Sequence, residues 1–361
     1  MSTLLMIGTR KGLFLARSDD RRSWALEGPV FPMNAVYAVA IDTRPATPRL
    51  LVGADSEHWG PSVFRSDDVG ASWHEPEGGA LRFPAATGAA LARAWQLQPA
   101  GTGQPDVVWA GVEPAALFRS DDGGSTFSLI DGLWDHPDRP RWMPGGGGLC
   151  LHTIVVHPTD PDRLLVAVSA AGVYRTGDGG KSWHASNTGI AAWHEPDPHP
   201  AFGQCVHKIA GHPDRPDQLF LQNHGGVYRS DDGGASWGEI HDGLPATFGF
   251  PMAVHPHRAG TAYAYPLVAD AHRMPPDDRC RVYRTTDAGD TWHALSAGLP
   301  QERAYLTVLR DALCTDDALT AGVYFGTRSG EVFASADEGE SWASIARHLP
   351  DVLAVRAAQI D

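Results

Sequence analysis

Ser230-Asp231-Asp232-Gly233-Gly234-Ala235-Ser236-Trp237 is one copy of a pattern, Ser/Thr-x-Asp-x-Gly-x-Ser/Thr-aromatic, that returns along the whole chain. It recurs at Ser66 to Trp73, Ser120 to Phe127, Thr176 to Trp183, Thr285 to Trp292 and Ser335 to Trp342. A shortened copy from Ser18 to Trp24 lacks one residue and the glycine. The closing aromatics stand at 24, 73, 127, 183, 237, 292 and 342, so the spacings are 49, 54, 56, 54, 55 and 50. A period of about fifty residues held throughout a chain means a repeat architecture rather than separate domains. Before the full copies come short apolar-aromatic runs such as Val63-Phe64-Arg65, Leu117-Phe118-Arg119 and Val227-Tyr228-Arg229. Each repeat therefore reads as strand, tight turn, strand.

The residue types explain the turn. Glycine at the fifth position supplies a positive φ at low steric cost. The aspartate and the two hydroxyls accept backbone N–H groups that a tight turn leaves unpaired. The closing aromatic is large enough to bury between neighbouring sheets. Seven repeated aspartates are read as structural, because a catalytic group is needed once and these are needed once per repeat.

Six of the seven copies match the Asp-box, or BNR repeat, at every defining position. The chain therefore resembles the Asp-box β-propellers: sialidases, xyloglucanase-type glycosidases, sortilin-like receptors and a photosystem assembly factor. It is most similar to the single-domain, seven-bladed BNR-repeat proteins described as glycosyl hydrolase-like or exo-sialidase-like. The resemblance implies an all-β propeller but leaves function open, since it spans enzymes, receptors and scaffolds. A sialidase would carry an Arg-Ile-Pro type signature near its start, whereas Arg10 is followed by Lys11-Gly12. Sialidases also have six blades, and xyloglucanases pair two seven-bladed units where this chain supplies one.

Four strands are expected in each repeat, within a single propeller spanning 1–361. The second strand is an apolar run, as in Leu50-Leu51-Val52-Gly53, and the innermost strand precedes it. Tyr37 to Asp42, His152 to His157, His207 to His212 and Phe250 to His255 show the alternation of innermost strands. The N-terminus begins on a second-type strand, Leu4 to Gly8, and a spare innermost strand, Val352 to Arg356, follows the last box. The C-terminal strand is thus expected to complete the first of seven blades and leave no open edge.

Composition narrows the partners. Gly 40 and Pro 28 fit many short strands joined by turns. A net charge of -14, with only Lys11, Lys181 and Lys208 as lysines, argues against nucleic acid. No span reaches transmembrane length, so no membrane partner is expected. The first ten residues carry neither a basic leader nor an apolar run long enough for a signal peptide. Four cysteines without CxxC spacing fit a reducing cytoplasm.

Three consecutive connections are long, Pro76 to Ala92, Asp131 to Leu149 and Ser186 to Gln204, and a further insertion runs from Pro266 to Arg279. Long loops clustered on one face point to function. Aligned on their exits, the innermost strands put Arg93, His152, His207 and Phe250 at matching heights, with Cys150 and Cys205 two residues earlier. Tyr37 and Tyr305 match by alternation.

His152 and His207 are the candidate ligands for one divalent metal, zinc or manganese, and Glu113 and His224 the candidate catalytic groups. Arg93, Tyr37, Tyr305, Arg10, Arg328, His194 and Glu195 are the candidate contacts to a small polar or anionic molecule. The competing interpretation makes the two histidines water-bonded pore residues, the cysteines small buried filler and the arginines balance for an acidic rim. The function expected is ligand binding, with metal-dependent hydrolysis or elimination as the chemistry. The alternatives are a protein-interaction module using Trp134, Trp142, Trp193 and Phe202 on the long loops, and a sialidase-like glycosidase.

Overall fold

The computed structural model describes residues 2–76 and 79–360. These residues form seven antiparallel sheets, six of four strands and one of three. The chain divides into two compact units, Met1–Pro32 with His207–Asp361, and Met33–Val206. The division falls inside the strand Val206–His212, whose backbone runs on unbroken across it.

The first unit holds blades one, five, six and seven. In blade one, Val352–Ile360 lies innermost and pairs antiparallel with Ser2–Thr9, which pairs with Gly12–Ser18 and then Ala25–Val30. The register runs from Ser2 opposite Ile360 to Thr9 opposite Val352. Blade five is Val206–His212, Arg215–Asn223, Gly226–Ser230 and Gly238–Glu239. Blade six begins at Phe248–Val254 and blade seven at Leu313–Thr315. The second unit holds the others. Blade two is Ala35–Asp42, Arg49–Ser56 and Gly60–Ser66, and its fourth strand shrinks to one bridge between Arg65 and His74. Blades three and four begin at Arg93–Pro99 and Leu151–Val156. The chain is all-β and adopts the seven-bladed β-propeller fold, with the C-terminal strand completing the first blade.

The repeated turn shows why its residues recur. Ser230 Oγ donates to Asp232 Oδ1 at 2.7 Å and accepts the N–H of Gly234 at 2.8 Å. Asp232 in turn accepts the Ser236 N–H at 2.9 Å and its hydroxyl at 2.6 Å. The same bonds hold the turns at Asp68, Asp178, Asp287 and Asp337. Even the shortened copy keeps its core, with Asp20 accepting the N–H groups of Arg22 and Ser23. The fifth position has positive φ as expected, 98° at Gly289. The fourth does too, including Val69, Ala288 and Glu338 at 56°, 61° and 63°.

Neighbouring blades are tied through these turns. A Cβ on Gly289 would stand 2.6 Å from the Ile240 side chain, and one on Gly124 2.8 Å from Leu51, so the fifth residue must be bare. The arginine before the motif reaches forward to the next turn. Arg65 bonds the Asp122 carbonyl at 2.9 Å, Arg229 that of Ala288 at 2.8 Å and Arg284 that of Glu338 at 3.0 Å. Phe127, Trp183, Trp237, Trp292 and Trp342 are buried, whereas Trp24 and Trp73 are half-buried. The strand-exit histidines are turn caps: His157, His212 and His255 each accept a following backbone N–H through Nδ1.

These aspartates make the fold acid-sensitive. The Ser72 hydroxyl and N–H, then the Ser66 hydroxyl, hold Asp68 at about 2, and the Thr291 hydroxyl, working against burial, holds Asp287 at about 2. A carboxyl depressed in the folded state stabilises it above its unfolded value, and that stabilisation fades as pH falls through the folded one. The melting temperature is therefore expected to drop between pH about 3.8 and about 2. The double variant Asp68→Asn, Asp287→Asn should melt lower at neutral pH and fall less steeply over that interval. Parallel curves for variant and parent would contradict this.

Candidate metal centre

His207 sits near the start of the inner strand of blade five, and alternate residues on a strand share a face. Cys205 lies two residues earlier, immediately before that strand begins. His224 stands in the tight turn after Asn223, between the second and third strands of the blade. The donor atoms of Cys205, His207 and His224 lie within 4.8 Å of one another. Ligands around tetrahedral zinc, at ~2.0–2.1 Å for nitrogen and ~2.3 Å for sulfur, stand roughly 3.3–3.8 Å apart, so small side-chain rotations would bring these three to that spacing.

The surroundings orient the rings. His207 Nδ1 lies 2.5 Å from the Gly249 carbonyl oxygen. A carbonyl only accepts, so Nδ1 carries the hydrogen and Nε2 presents its lone pair. Anchoring the second ring nitrogen on a carbonyl is the usual outer support of a metal-bound imidazole. The His207 ring packs against Phe248 and Phe250, at 5.5 and 4.9 Å between centroids, and His224 packs on Phe248 at 4.9 Å. Burial pushes His207 down to about 3, so the ring is neutral at neutral pH. Arg310 and His224 act in the same direction, and Asp270 opposes them. Arg273 pairs with Asp270 and lies 5.1 Å from the Phe250 ring, so charged groups of both signs border the donors.

The other candidate residues fall in separate places. His152, on the inner strand of blade four, is fully buried with Nδ1 3.0 Å from Thr153 Oγ1, and it is not one of the three clustered donors. Arg93 gathers Tyr37 and Glu113 in the second unit. Its guanidinium lies 4.2 Å from the Tyr37 ring, 3.3 Å from Glu113 and 3.6 Å from Asp55. Trp95 Nε1 also donates to Glu113, at 3.1 Å. Burial raises Asp55 while Arg93 opposes the rise. Arg93 is thus already matched by two carboxylates.

Arg328 pairs with Asp351 at 2.9 Å, and the Arg10 N–H donates to the Asp351 carbonyl. Tyr305 is largely exposed, and His194 stands 3.8 Å from Glu195 on an exposed loop. Of the loop aromatics, Trp193 is exposed, while Trp142 is buried and donates to the Tyr174 hydroxyl at 2.8 Å. Sequence reasoning took Cys205 for filler. The signal for it was its spacing, since Cys205-x-His207 sets a thiol and an imidazole two residues apart at the entrance of one strand.

No protein-family model matches the sequence, and no curated protein does. Solved structures do match. An ancestral GH74 enzyme aligns over 85% of this chain at 18% identity with a TM-score of 0.58, and the chain spans 38% of that enzyme's length. YCF48 bound to D1 peptide aligns over 86% of this chain and 81% of its own, at 13% identity and a TM-score of 0.54. YCF48 from Cyanidioschyzon merolae is similar at 12% identity, 86% and 84% coverage and a TM-score of 0.53. The likeness is one of fold. No described helix is long and apolar enough to cross a membrane.

Proposed function

We propose that this propeller is a metal-dependent hydrolase acting on a small anionic molecule, with Cys205, His207 and His224 holding one zinc ion. The observation that carries this reading is the convergence of the three donors, with His207 oriented by the Gly249 carbonyl. A thiolate with two imidazoles favours zinc over the harder manganese. Three protein ligands leave a fourth position open, the arrangement in which zinc activates bound water near neutral pH. Arg310 supplies positive charge beside the donors, where Asp270 already matches Arg273, and favours an anionic substrate. We further assign the repeated turn to the Asp-box type, on its hydrogen bonds, and the protein to a reducing cytoplasm, on four cysteines without CxxC spacing.

Elemental analysis of protein purified without an affinity tag tests the metal assignment. About one zinc per chain is expected in the parent, and much less in Cys205→Ser and His224→Ala that still melt cooperatively. No bound metal in the parent, together with a melting temperature unmoved by added zinc or manganese, would overturn the reading.

A further inference from the structure

Blades six and seven share an ion cluster whose counterpart one repeat earlier has alanine in place of its acid. After the inner strand of blade six, His255 and Arg258 both meet Glu338, the fourth residue of the turn motif in blade seven. His255 Nε2 lies 3.4 Å from one carboxylate oxygen, and the Arg258 guanidinium pairs with the other. The same two residue types, at the same spacing, end the inner strand of blade five as His212 and Arg215. Both rings are held alike. His212 Nδ1 accepts the Asp214 N–H and His255 Nδ1 the His257 N–H, each at 3.1 Å. The fourth motif residue of blade six is Ala288, and its backbone copies that of Glu338. Their φ angles are 61° and 63°, and their N–H groups bond the Gly260 and Ala321 carbonyls of their own blades. The preceding blade's arginine bonds each carbonyl, Arg229 that of Ala288 and Arg284 that of Glu338. Only the side chain differs, a methyl group for a carboxylate.

The two donors of blade five are therefore unmatched. Burial lowers the His212 pKa, with Asp214 opposing and Arg215 assisting, so the ring is neutral at neutral pH. Because its Nδ1 accepts an N–H, the hydrogen sits on Nε2. His212 is 2% exposed, and that Nε2 has no hydrogen-bond partner. An unmatched buried donor is costly. Arg215 is exposed and makes no hydrogen bond or ion pair to the described residues. It borders a cavity of about 600 Å³, lined also by Thr261, Thr286 and the ion pairs Arg258–Glu338 and Arg284–Glu340. The two ion pairs cancel, so Arg215 leaves the lining one net positive charge, which suits a monoanion better than a phosphate dianion.

We infer that the carboxylate of a small organic acid binds between His212 Nε2 and the Arg215 guanidinium, as Glu338 does one repeat later. An imidazole N–H and a guanidinium fork are the donors that Glu338 already satisfies in this geometry. The site stands apart from the metal reading and uses none of its donors. It lies at the other end of blade five, since Arg215 follows the first-to-second-strand turn and His224 stands in the second-to-third.

Thermal melting of the full chain in acetate and in succinate, against sodium chloride of equal ionic strength, tests it. At least one of the two acids should raise the melting temperature saturably. Arg215→Gln, a change on the surface, should weaken that ligand at least ~10-fold, about 1.4 kcal/mol. Ala288→Glu supplies the carboxylate from the chain itself, on a backbone that already has the Glu338 conformation. That variant should melt no lower than the parent in chloride and should no longer respond to the acid. The metal-site variant His224→Ala should respond like the parent. No response to either acid, or a response unchanged in Arg215→Gln or Ala288→Glu, would overturn the inference. Equal stabilisation by inorganic phosphate would overturn the carboxylate assignment.

Discussion

A chain ending at Pro350 is expected to be insoluble or molten, while one lacking only Met1 and Ser2 should melt like the parent. The segment removed is the innermost strand of blade one, paired along its whole length with Ser2–Thr9. Val352, Leu353, Ala354, Val355, Ala358 and Ile360 are all buried. Each fully buried large aliphatic contributes about 1.5–3 kcal/mol, and a typical domain is stable by only about 5–15 kcal/mol in total. Losing the strand also strips the backbone partners from Ser2–Thr9, whose Leu4 to Ile7 are completely buried. The two-residue N-terminal deletion removes one end pair of that ladder. Sedimentation and near-ultraviolet circular dichroism distinguish the outcomes. A soluble, cooperatively melting chain ending at Pro350 would contradict this account of how the first blade is completed.

The second large effect lies in a buried ion cluster. Asp311 accepts from Lys208 Nζ at 2.6 Å and from Arg356 Nη2 at 2.7 Å, on the same carboxylate oxygen. Burial opposes ionisation of Asp311, but the Lys208 ammonium and the Arg356 guanidinium outweigh it and hold its carboxyl below the ordinary range. Asp311→Ala leaves the buried Lys208 ammonium and the half-buried Arg356 guanidinium without their counter-charge. Breaking a buried pair from one side typically costs about 3–5 kcal/mol. Lys208→Met should cost less, because the Asp311–Arg356 pair survives and an apolar stem replaces the buried ammonium. Urea midpoints for the two variants should therefore differ clearly, with Asp311→Ala the lower. Equal midpoints would mean that the cluster is not held together as charges.

The architecture was readable because its information is local and repeated. Asp232 and Ser236 are four residues apart, and the bonds between them do not depend on the rest of the chain. The positive φ at the fourth motif position was not readable, because Val69, Ala288 and Glu338 are residue types that disfavour it. There the surrounding hydrogen bonds overrule the local preference.

The candidate site divides in the same way. His207 follows from strand alternation and the tight turn at His224 from the repeat, whereas Cys205, one residue before the strand, does not. Asp55 was missed because it meets Arg93, a residue of another blade, and sequence spacing holds no trace of that contact. Trp142 appeared available for a surface patch, yet Tyr174 takes its indole N–H inside the core.

X-ray absorption at the zinc edge of the purified, tag-free protein identifies the three metal donors. One sulfur at ~2.3 Å and two nitrogens at ~2.0–2.1 Å are expected, with one further light atom. Cys205→Ser should remove the sulfur and leave the nitrogens. A shell of oxygen and nitrogen only in the parent, or a sulfur that persists in Cys205→Ser, would contradict this assignment.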